Sequence, residues 1–595
     1  MTAPHPRTLT PATVVWEDGV PTAPAYGDIY FSRHDGVAES AAVFVTGSDL
    51  PARFQHCTGA FCIAELGFGT GLNFVLARQA FLAYARAGAR LTFVSFERHP
   101  LPAAERSRLA TLLAPAHPVL AAALETLNDC AVPALRGWHR LQFDGGRVQL
   151  ALYLGAADEG LEDWLASAAG GAVDAWFLDG FAPSRNEAMW AASLFARLPA
   201  LSRPGATVAT FSVAAAVRRG LEQAGFEVTR MPGPQGKRQV LRGHLRSGLG
   251  RLATHPPRRV RVIGAGLAGA CCAAALARRG VAVQVDDPLG AAGAASGNPW
   301  AVMHPRLPLD DGPRGPLFAA AYAGSRSWLT AYSTDCWQPR TVLQLPELRR
   351  PERLSSVLER YLQSGPWLAA DELGGLTAIR FDGAGWADLG RLVDRLLDHP
   401  LITRSEQRWQ APIGPLAHTT DEAVIIAAGT HSAELLPGRP PLGRMRGQLT
   451  RTRLSMPAAA AALPIVTGRG HALALADGWV CGASYIRSAE AEFPSEVERD
   501  ENLGRLAELQ GLLGVAQHSG EVTAEFVGLR CTVPDRVPLI GPMSEVPGLY
   551  VSTGHASAGL LTCPLAAELI AAAICGEAPV LDAEMRALVR PDRFR

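Results

Sequence analysis

Residues 258–287 read RRVRVIGAGLAGACCAAALARRGVAVQVDD, and this stretch decides how the chain is parsed. A short apolar strand leads into a glycine turn, an Ala/Leu-rich helix follows, and a second strand ends in Asp286. Gly264, Gly266 and Gly269 stand as G-x-G-x-x-G, after a strand and at the opening of a helix. In such a unit the first glycine permits the tight turn, the second lets backbone approach a diphosphate, and the third lets helix pack on strand. The diphosphate rests on the helix N-terminus, where unpaired N–H groups point outward. Asp286 lies about twenty residues further on, the position of a carboxylate that takes ribose hydroxyls. A unit of this kind opens a domain, so what precedes it is expected to fold by itself. We therefore expect domains at 1–245 and 259–595, with a basic linker over 246–258.

Composition narrows the function classes. The 595 residues are 48% hydrophobic and 19% charged, with zero formal net charge, so the chain has large cores and no global basic field. Ten cysteines occur without a C-x-x-C pair, which argues against a zinc site or a disulfide frame and for a reduced, cytoplasmic setting. No metal is expected. The N-terminus has no apolar leader, and the apolar stretch from Gly559 to Cys575 is too short to span a membrane.

The first half alternates strand and helix, as in a doubly wound α/β sheet. Strands are read at 61–66, 91–97, 147–155, 173–181 and 206–212, with two late strands as an antiparallel edge pair. The turn Glu65-Leu-Gly67-Phe-Gly69-Thr-Gly71 places an acid before its glycines, and Glu97 ends the next strand. It resembles the S-adenosylmethionine motif of class I methyltransferases, in which the glycine backbone faces the methionine and ribose and the second acid holds the ribose hydroxyls. Asp179-Gly-Phe181-Ala-Pro183 ends the fourth strand, at the sheet edge where ligands bind. It is similar to the D/N-P-P-Y/F motif of amino-methylating enzymes. A carboxylate there can accept the N–H bonds of an amine and aim its lone pair at a methyl sulfonium, and can take the released proton. Phe181 can stack on a flat base. The competing reading of Asp179 is a helix cap.

Lys237 is the only lysine, and a compact ammonium there is either required at the substrate or a chance survivor. From Lys237 to Arg261 there are eight Lys and Arg and no acid, a solvated tether or a contact for phosphates.

In the second half, Ala295-Ser296-Gly297-Asn298 resembles the flavin-proximal loop of glycine-oxidase-like FAD enzymes. His304 reads as a packed residue rather than a base. Residues 422–432 resemble the strand that returns to the FAD-binding part, and strands through 478–485 suggest an antiparallel substrate sheet. Gly528-Leu-Arg530 through Asp535 to Gly541 resembles the G-x-R…D…P-x-I/V-G signature of amine-oxidising flavoproteins. Arg530 can grip a substrate carboxylate through two bonds, or else form a structural salt bridge with Asp535 or another acid. Gly554 and Gly559 bring a helix N-terminus toward the flavin.

A methyltransferase followed by a glycine-oxidase-like flavoprotein, with Tyr30-Phe-Ser32, Glu65–Phe74, Trp176–Pro183, Val217–Phe226 and Gly236–Arg238, is similar to one family. This is the bifunctional tRNA 5-methylaminomethyl-2-thiouridine biosynthesis family. The resemblance implies FAD-dependent removal of a carboxymethyl group from the wobble uridine in a tRNA anticodon loop, then methylation of the freed amine by S-adenosylmethionine. It implies a monomer that works on tRNA and not at a membrane. Asp179 and Arg530 would then be the chemical residues, with Phe181 and Lys237 at the substrate. One departure stands out: GAADEG follows the third strand, where an acid directly after the glycine is expected, so Asp158 is a candidate substitute at the adenine whose role the resemblance leaves open. Two other classes fit parts of the sequence: a small-molecule amine oxidase fused to an N-methyltransferase, and a non-catalytic RNA-binding scaffold.

Overall fold

The structure, a computed structural model, describes residues 3–594 apart from 18, 31–34, 168–171, 234–238, 248, 250–255, 333–335, 349, 411–421, 439, 455–461, 488–492 and 518–519. The chain divides into two compact units. One comprises Arg7–Pro256 and a late segment, Ala572–Ala583. The other comprises Pro257–Ala571 with the residues up to Pro6 and from Glu584 on.

The first unit is built on an eight-stranded sheet. Its spatial order is Phe226–Pro232, Gln239–Leu245, Ser202–Thr210, Val173–Leu178, Ala60–Leu66, Arg90–Glu97, Val148–Leu154 and Gly137–Phe143. The five strands from Ser202–Thr210 to Val148–Leu154 run parallel. Their near-continuous apolar runs, such as FCIAEL, follow from burial on both faces. The expected antiparallel pair, Phe226–Pro232 with Gln239–Leu245, closes one edge. A strand the sequence did not disclose, Gly137–Phe143, closes the other by pairing antiparallel with Val148–Leu154. A three-stranded N-terminal meander, Val15–Glu17, Val20–Ala23 and Asp28–Ile29, precedes the sheet.

The late segment belongs to this unit by chemistry as well as by proximity. Ala578 joins the core that holds Trp138, Trp164 and Trp176. Arg140, on the unforeseen strand, donates to the Ala578 carbonyl at 3.1 Å and lies 3.5 Å from the Glu577 carboxylate. Arg90 reaches the same carboxylate at 3.2 Å. The Arg140 side chain is only 2% exposed, so removing the acid strips a buried cation of a counter-charge, a change that costs about 3 kcal/mol or more. Glu577→Ala therefore lowers the unfolding free energy of this unit by about that amount, read by denaturant titration of the buried-tryptophan fluorescence.

The second unit holds a six-stranded sheet in the order Ile402–Ser405, Ala282–Asp286, Arg259–Ile263, Glu422–Ile426, Leu549–Thr553, Leu539–Pro542. The first five strands are parallel and the last pair is antiparallel. Helix Leu267–Ala277, buried over nearly its whole length, packs on this sheet. A second, eight-stranded sheet ends at one edge in the long antiparallel pair Gly443–Arg453 and Glu521–Thr532. All of its pairings are antiparallel except Val342–Gln344 with Ile465–Thr467. Among the described residues no helix is long and apolar enough to cross a membrane.

Candidate active sites

In the first unit the parallel strands deliver Glu65, Glu97 and Asp179 to one sheet edge. Gly67, at φ +89°, adopts a conformation L side chains avoid, and a Cβ there would stand 2.9 Å from the Asp179 carbonyl. The glycine turn and the Asp179 loop are therefore in contact only because residue 67 has no side chain. Gly69 and Gly71 complete the turn, and the Gly69 N–H donates to Glu97 Oε2 at 2.8 Å. Helix Leu72–Tyr84 starts directly after Gly71 and contributes Asn73.

Asn73 is the residue that ties the acids together. Its amide donates to Glu65 Oε1 at 2.9 Å and to Asp179 Oδ2 at 2.8 Å. The Gly180 N–H donates to Asp179 Oδ1 at 2.8 Å, and Ser95 Oγ donates to Glu65 Oε2 at 2.7 Å. Burial, with the nearby Asp179 charge, pushes the Glu65 carboxyl well above the ordinary carboxylate range. Asn73 Oδ1 is buried with no hydrogen-bond partner. An orphaned acceptor beside two acids is a fit for a cationic group such as the ammonium and sulfonium of S-adenosylmethionine.

Phe181 sits in an aromatic cluster. Tyr26 stacks on it at 4.5 Å between ring centroids, and Tyr30 meets it edge-on at 5.3 Å. Asp28 Oδ2 accepts the Ala182 N–H at 2.8 Å, so the N-terminal meander holds the Asp-Gly-Phe-Ala-Pro loop. Asp158 is exposed in the first turn of helix Ala157–Ala166. Lys237 lies outside the described residues.

In the second unit the G-x-G-x-x-G glycines form a cradle. Gly264, at φ +112°, would place a Cβ 2.4 Å from the Ala427 carbonyl, on the strand end returned from residue 422. A Cβ at Gly269 would strike the Gly264 carbonyl, and one at Gly266 would stand 2.9 Å from Ser296 Oγ. Ser296 Oγ accepts the Leu267 N–H at 2.9 Å, which brings the loop of Ser296 and Gly297 to the glycine turn. Gly559 begins helix Gly559–Cys575, 3.6 Å from Leu267 by its Cβ position, and Gly554 precedes it at the end of strand Leu549–Thr553. A turn that side chains would fill, under a helix N-terminus, fits the diphosphate of FAD.

Asp286 ends its strand as read from the sequence, but its carboxylate already accepts from Ser405, Gln284, Trp409 and Arg261. Burial works to raise its pKa, and these four bonds outweigh that and hold it below the usual range. A ribose would have to displace one of the four. Asp287, one residue on, accepts the Ala265 N–H of the glycine turn at 2.8 Å.

Arg530 lies on strand Glu521–Thr532, two residues from Gly528, whose Cβ position is 3.3 Å from Ala295 Cα in the flavin-proximal loop. The alternative partner, Asp535, is taken by Arg593 at 2.9 and 3.0 Å. Among the described residues no carboxylate pairs with Arg530. Its recorded contacts are the Ser484 carbonyl at 3.3 Å and the Tyr485 ring at 4.7 Å. Burial, then Arg306, pulls against its charge. Gly447, on the adjoining strand, is covered by the Arg530 guanidinium: a Cβ there would stand 2.1 Å from it. Gly447→Ala therefore moves the guanidinium, and we expect kcat/KM for amine oxidation to fall roughly 10- to 100-fold with methyl transfer unchanged.

Around Arg530 stand Tyr485, Arg306, His304 and His471. Burial, then nearby cations, pushes His304 down to about 3 and His471 to about 4, so both are neutral. Desolvation of this half-exposed ring opposes the Tyr485 phenolate, but Arg306 and Arg530 outweigh it and bring the phenol down to about 8. The ultraviolet difference between wild type and Tyr485→Phe should show a phenolate forming near pH 8, against about 10 for an ordinary tyrosine.

Sequence reasoning missed Asn73, Asp28, Gly447 and Tyr485. Gly447 stands in the Arg-Gly-Gln triplet at 446–448, but that triplet signals only a strand and not the contact with Arg530. Arg446 of that triplet is structural, bonded to the buried Glu498 at 2.7 Å.

Comparison with known proteins agrees with the two-part reading. Residues 118–246 match the family described as S-adenosyl-L-methionine-dependent methyltransferase, and residues 259–573 the family of FAD dependent oxidoreductases. The two cofactors are thus S-adenosylmethionine and FAD. The chain is 36% identical to the tRNA 5-methylaminomethyl-2-thiouridine biosynthesis bifunctional protein of Stutzerimonas stutzeri, over 97% of this chain and 96% of the relative. The protein of that name from Chromobacterium violaceum is also 36% identical, over 98% and 97%. That of Thiobacillus denitrificans is 35% identical, over 99% and 98%. Full-length similarity at this level, with both catalytic units present in the same order, shows that the chain belongs to the tRNA 5-methylaminomethyl-2-thiouridine biosynthesis bifunctional protein family.

Proposed function

We propose that the protein carries out two consecutive reactions on one amino nitrogen of the tRNA wobble uridine. The second unit oxidises the C–N bond of a 5-carboxymethylaminomethyl group. The methylene loses a hydride and the nitrogen a proton, water adds to the resulting imine, and glyoxylate leaves a 5-aminomethyl group. The first unit then methylates that amine and releases a proton. FAD supplies the hydride acceptor in the first reaction and S-adenosylmethionine the methyl group in the second.

The chain's own residues do the rest. Arg530 grips the carboxylate, so the pocket treats the base as an N-substituted glycine. Asp179, fixed by Asn73 and Gly180, accepts an N–H of the amine and directs its lone pair along the transfer line. The Tyr26–Phe181–Tyr30 cluster supplies the ring against which the uracil stacks. Glu65 and the orphaned Asn73 oxygen would hold the methionine end of the methyl donor, and Glu97 would hold its ribose. Gly264, Gly266, Gly269, Ser296, Gly297, Gly554 and Gly559 hold FAD. The wobble base leaves its stack to reach either pocket, which a single-stranded loop permits.

The observation that carries the reading is the Arg530 guanidinium, set beside the flavin-proximal loop with no carboxylate of its own among the described residues. Ten free cysteines support a reduced cytoplasm, where we place the protein as a monomer acting on tRNA. The test is genetic. tRNA from a strain lacking the gene should accumulate 5-carboxymethylaminomethyluridine derivatives, and tRNA without that accumulation would leave the small-molecule oxidase reading in its place.

A further inference from the structure

The oxidative site holds more positive charge than one carboxylate can use. Arg306 donates to the Tyr485 hydroxyl at 3.2 Å, and its guanidinium lies 5.8 Å from the centre of that ring. Arg530 lies 4.7 Å from the centre of the same ring. Among the described residues neither guanidinium is paired with an acid. The histidines beside them are neutral and add no further positive charge. Two cations held by one tyrosine repel each other, and a ligand that brings two anionic groups would relieve that repulsion.

The two arginines differ in depth. Arg530 is half-buried on the strand that adjoins the flavin-proximal loop. Arg306 is exposed, in the segment that follows strand Ala301–Met303, and Tyr485 between them is 51% exposed. The carboxylate of the reacting group belongs at the inner arginine, next to the bond that is oxidised. The outer arginine then faces the part of the substrate that stays in solvent, which for a nucleotide within a chain is its phosphodiester.

We propose that Arg306 is a specificity-determining residue of the oxidative site, taking a backbone phosphate beside the wobble uridine while Arg530 takes the carboxylate. The site thereby selects a polynucleotide over free N-substituted glycines. This rests on the function proposed above, which names the base but not the residue that reads its backbone.

The experiment uses the full-length FAD-loaded protein. Glyoxylate release is followed with a short anticodon stem-loop bearing the carboxymethylaminomethyl group, and the free modified nucleoside is titrated as a competitive inhibitor. Arg306→Gln should lower kcat/KM on the stem-loop about tenfold, mostly through KM, and should weaken the nucleoside far less. The slope of log kcat/KM against log salt should become shallower by about 0.7, the loss of one single-strand phosphate contact. Arg306→Lys, which keeps a point charge, should retain the wild-type slope. Equal losses for stem-loop and nucleoside would place Arg306 at the carboxylate or in a purely structural role, and an unchanged salt slope would remove the phosphate contact; either overturns the proposal. A wild-type protein that leaves the stem-loop unoxidised would instead end the wobble-uridine reading itself.

Discussion

Arg530→Leu should abolish most C–N oxidation while leaving methyl transfer at its wild-type rate. The guanidinium carries a charge that burial disfavours; among the described residues the Tyr485 phenol offsets it in part and no carboxylate pairs with it, which leaves it for the substrate carboxylate on the proposed reading. Truncating one partner of a close, desolvated charge pair costs about 2–5 kcal/mol, which is roughly 30- to 5,000-fold in kcat/KM. Leucine fills the volume without the charge, so FAD should still bind and the flavin absorbance should be kept. Arg530→Lys should restore little, because an ammonium cannot make the two parallel bonds of a guanidinium to a carboxylate. Stopped-flow reduction of the bound flavin by the carboxymethylaminomethyl stem-loop checks this. A variant reduced as fast as wild type would show that Arg530 is a packing residue.

The second large effect is expected at Asp179. Asp179→Asn keeps the shape of the side chain but replaces one acceptor oxygen with a donor. Both Asn73 and Gly180 donate to the present carboxylate, so an amide in its place faces N–H groups with N–H groups on one side. On the proposed role it also loses the charge that would align the amine and receive its proton. Positioned acid–base groups contribute about 10²- to 10⁴-fold, and methyl transfer to 5-aminomethyluridine in tRNA should fall within that range. Binding of S-adenosylmethionine, measured by calorimetry, should change little, because Glu65, Glu97 and the glycine turn are untouched. Oxidation in the other unit should be unaffected. If Asp179 were only a cap on the loop, the variant would methylate at the wild-type rate.

These residues could be read from the sequence because each sits in a local pattern. The two glycine turns declare themselves by spacing, and the acid before Gly67 separates the methyl-donor turn from the diphosphate turn at Gly264. Asp179 is legible because it ends an apolar strand and is followed by Gly-Phe-Ala-Pro. What escaped was made by distance in sequence. Strand Gly137–Phe143 is buried throughout, yet its sequence, GWHRLQF, shows no alternation and holds His139, Arg140 and Gln142. Two of those polar groups find partners outside the strand, His139 Nε2 at the Leu135 carbonyl and Arg140 at residues 577 and 578. No pattern in residues 572–583 announces that they pack into a core begun five hundred residues earlier. Asn73 is a single polar residue in a helix, and only the fold brings it between Glu65 and Asp179. Gly447 matters through the arginine that lies over it from the neighbouring strand, a relation that no spacing encodes. Asp286 was found at the right strand end, but its four donors were invisible because three of them, Arg261, Ser405 and Trp409, come from other strands or loops.

The central claim is that two cofactor sites in one chain act in turn on the same nitrogen. It is tested most directly by incubating tRNA that carries 5-carboxymethylaminomethyl-2-thiouridine with the protein and identifying the wobble nucleoside by mass spectrometry. With FAD and S-adenosylmethionine the account predicts 5-methylaminomethyl-2-thiouridine, and with FAD alone it predicts 5-aminomethyl-2-thiouridine and free glyoxylate. Recovery of the unaltered carboxymethylaminomethyl nucleoside when both cofactors are bound would contradict it.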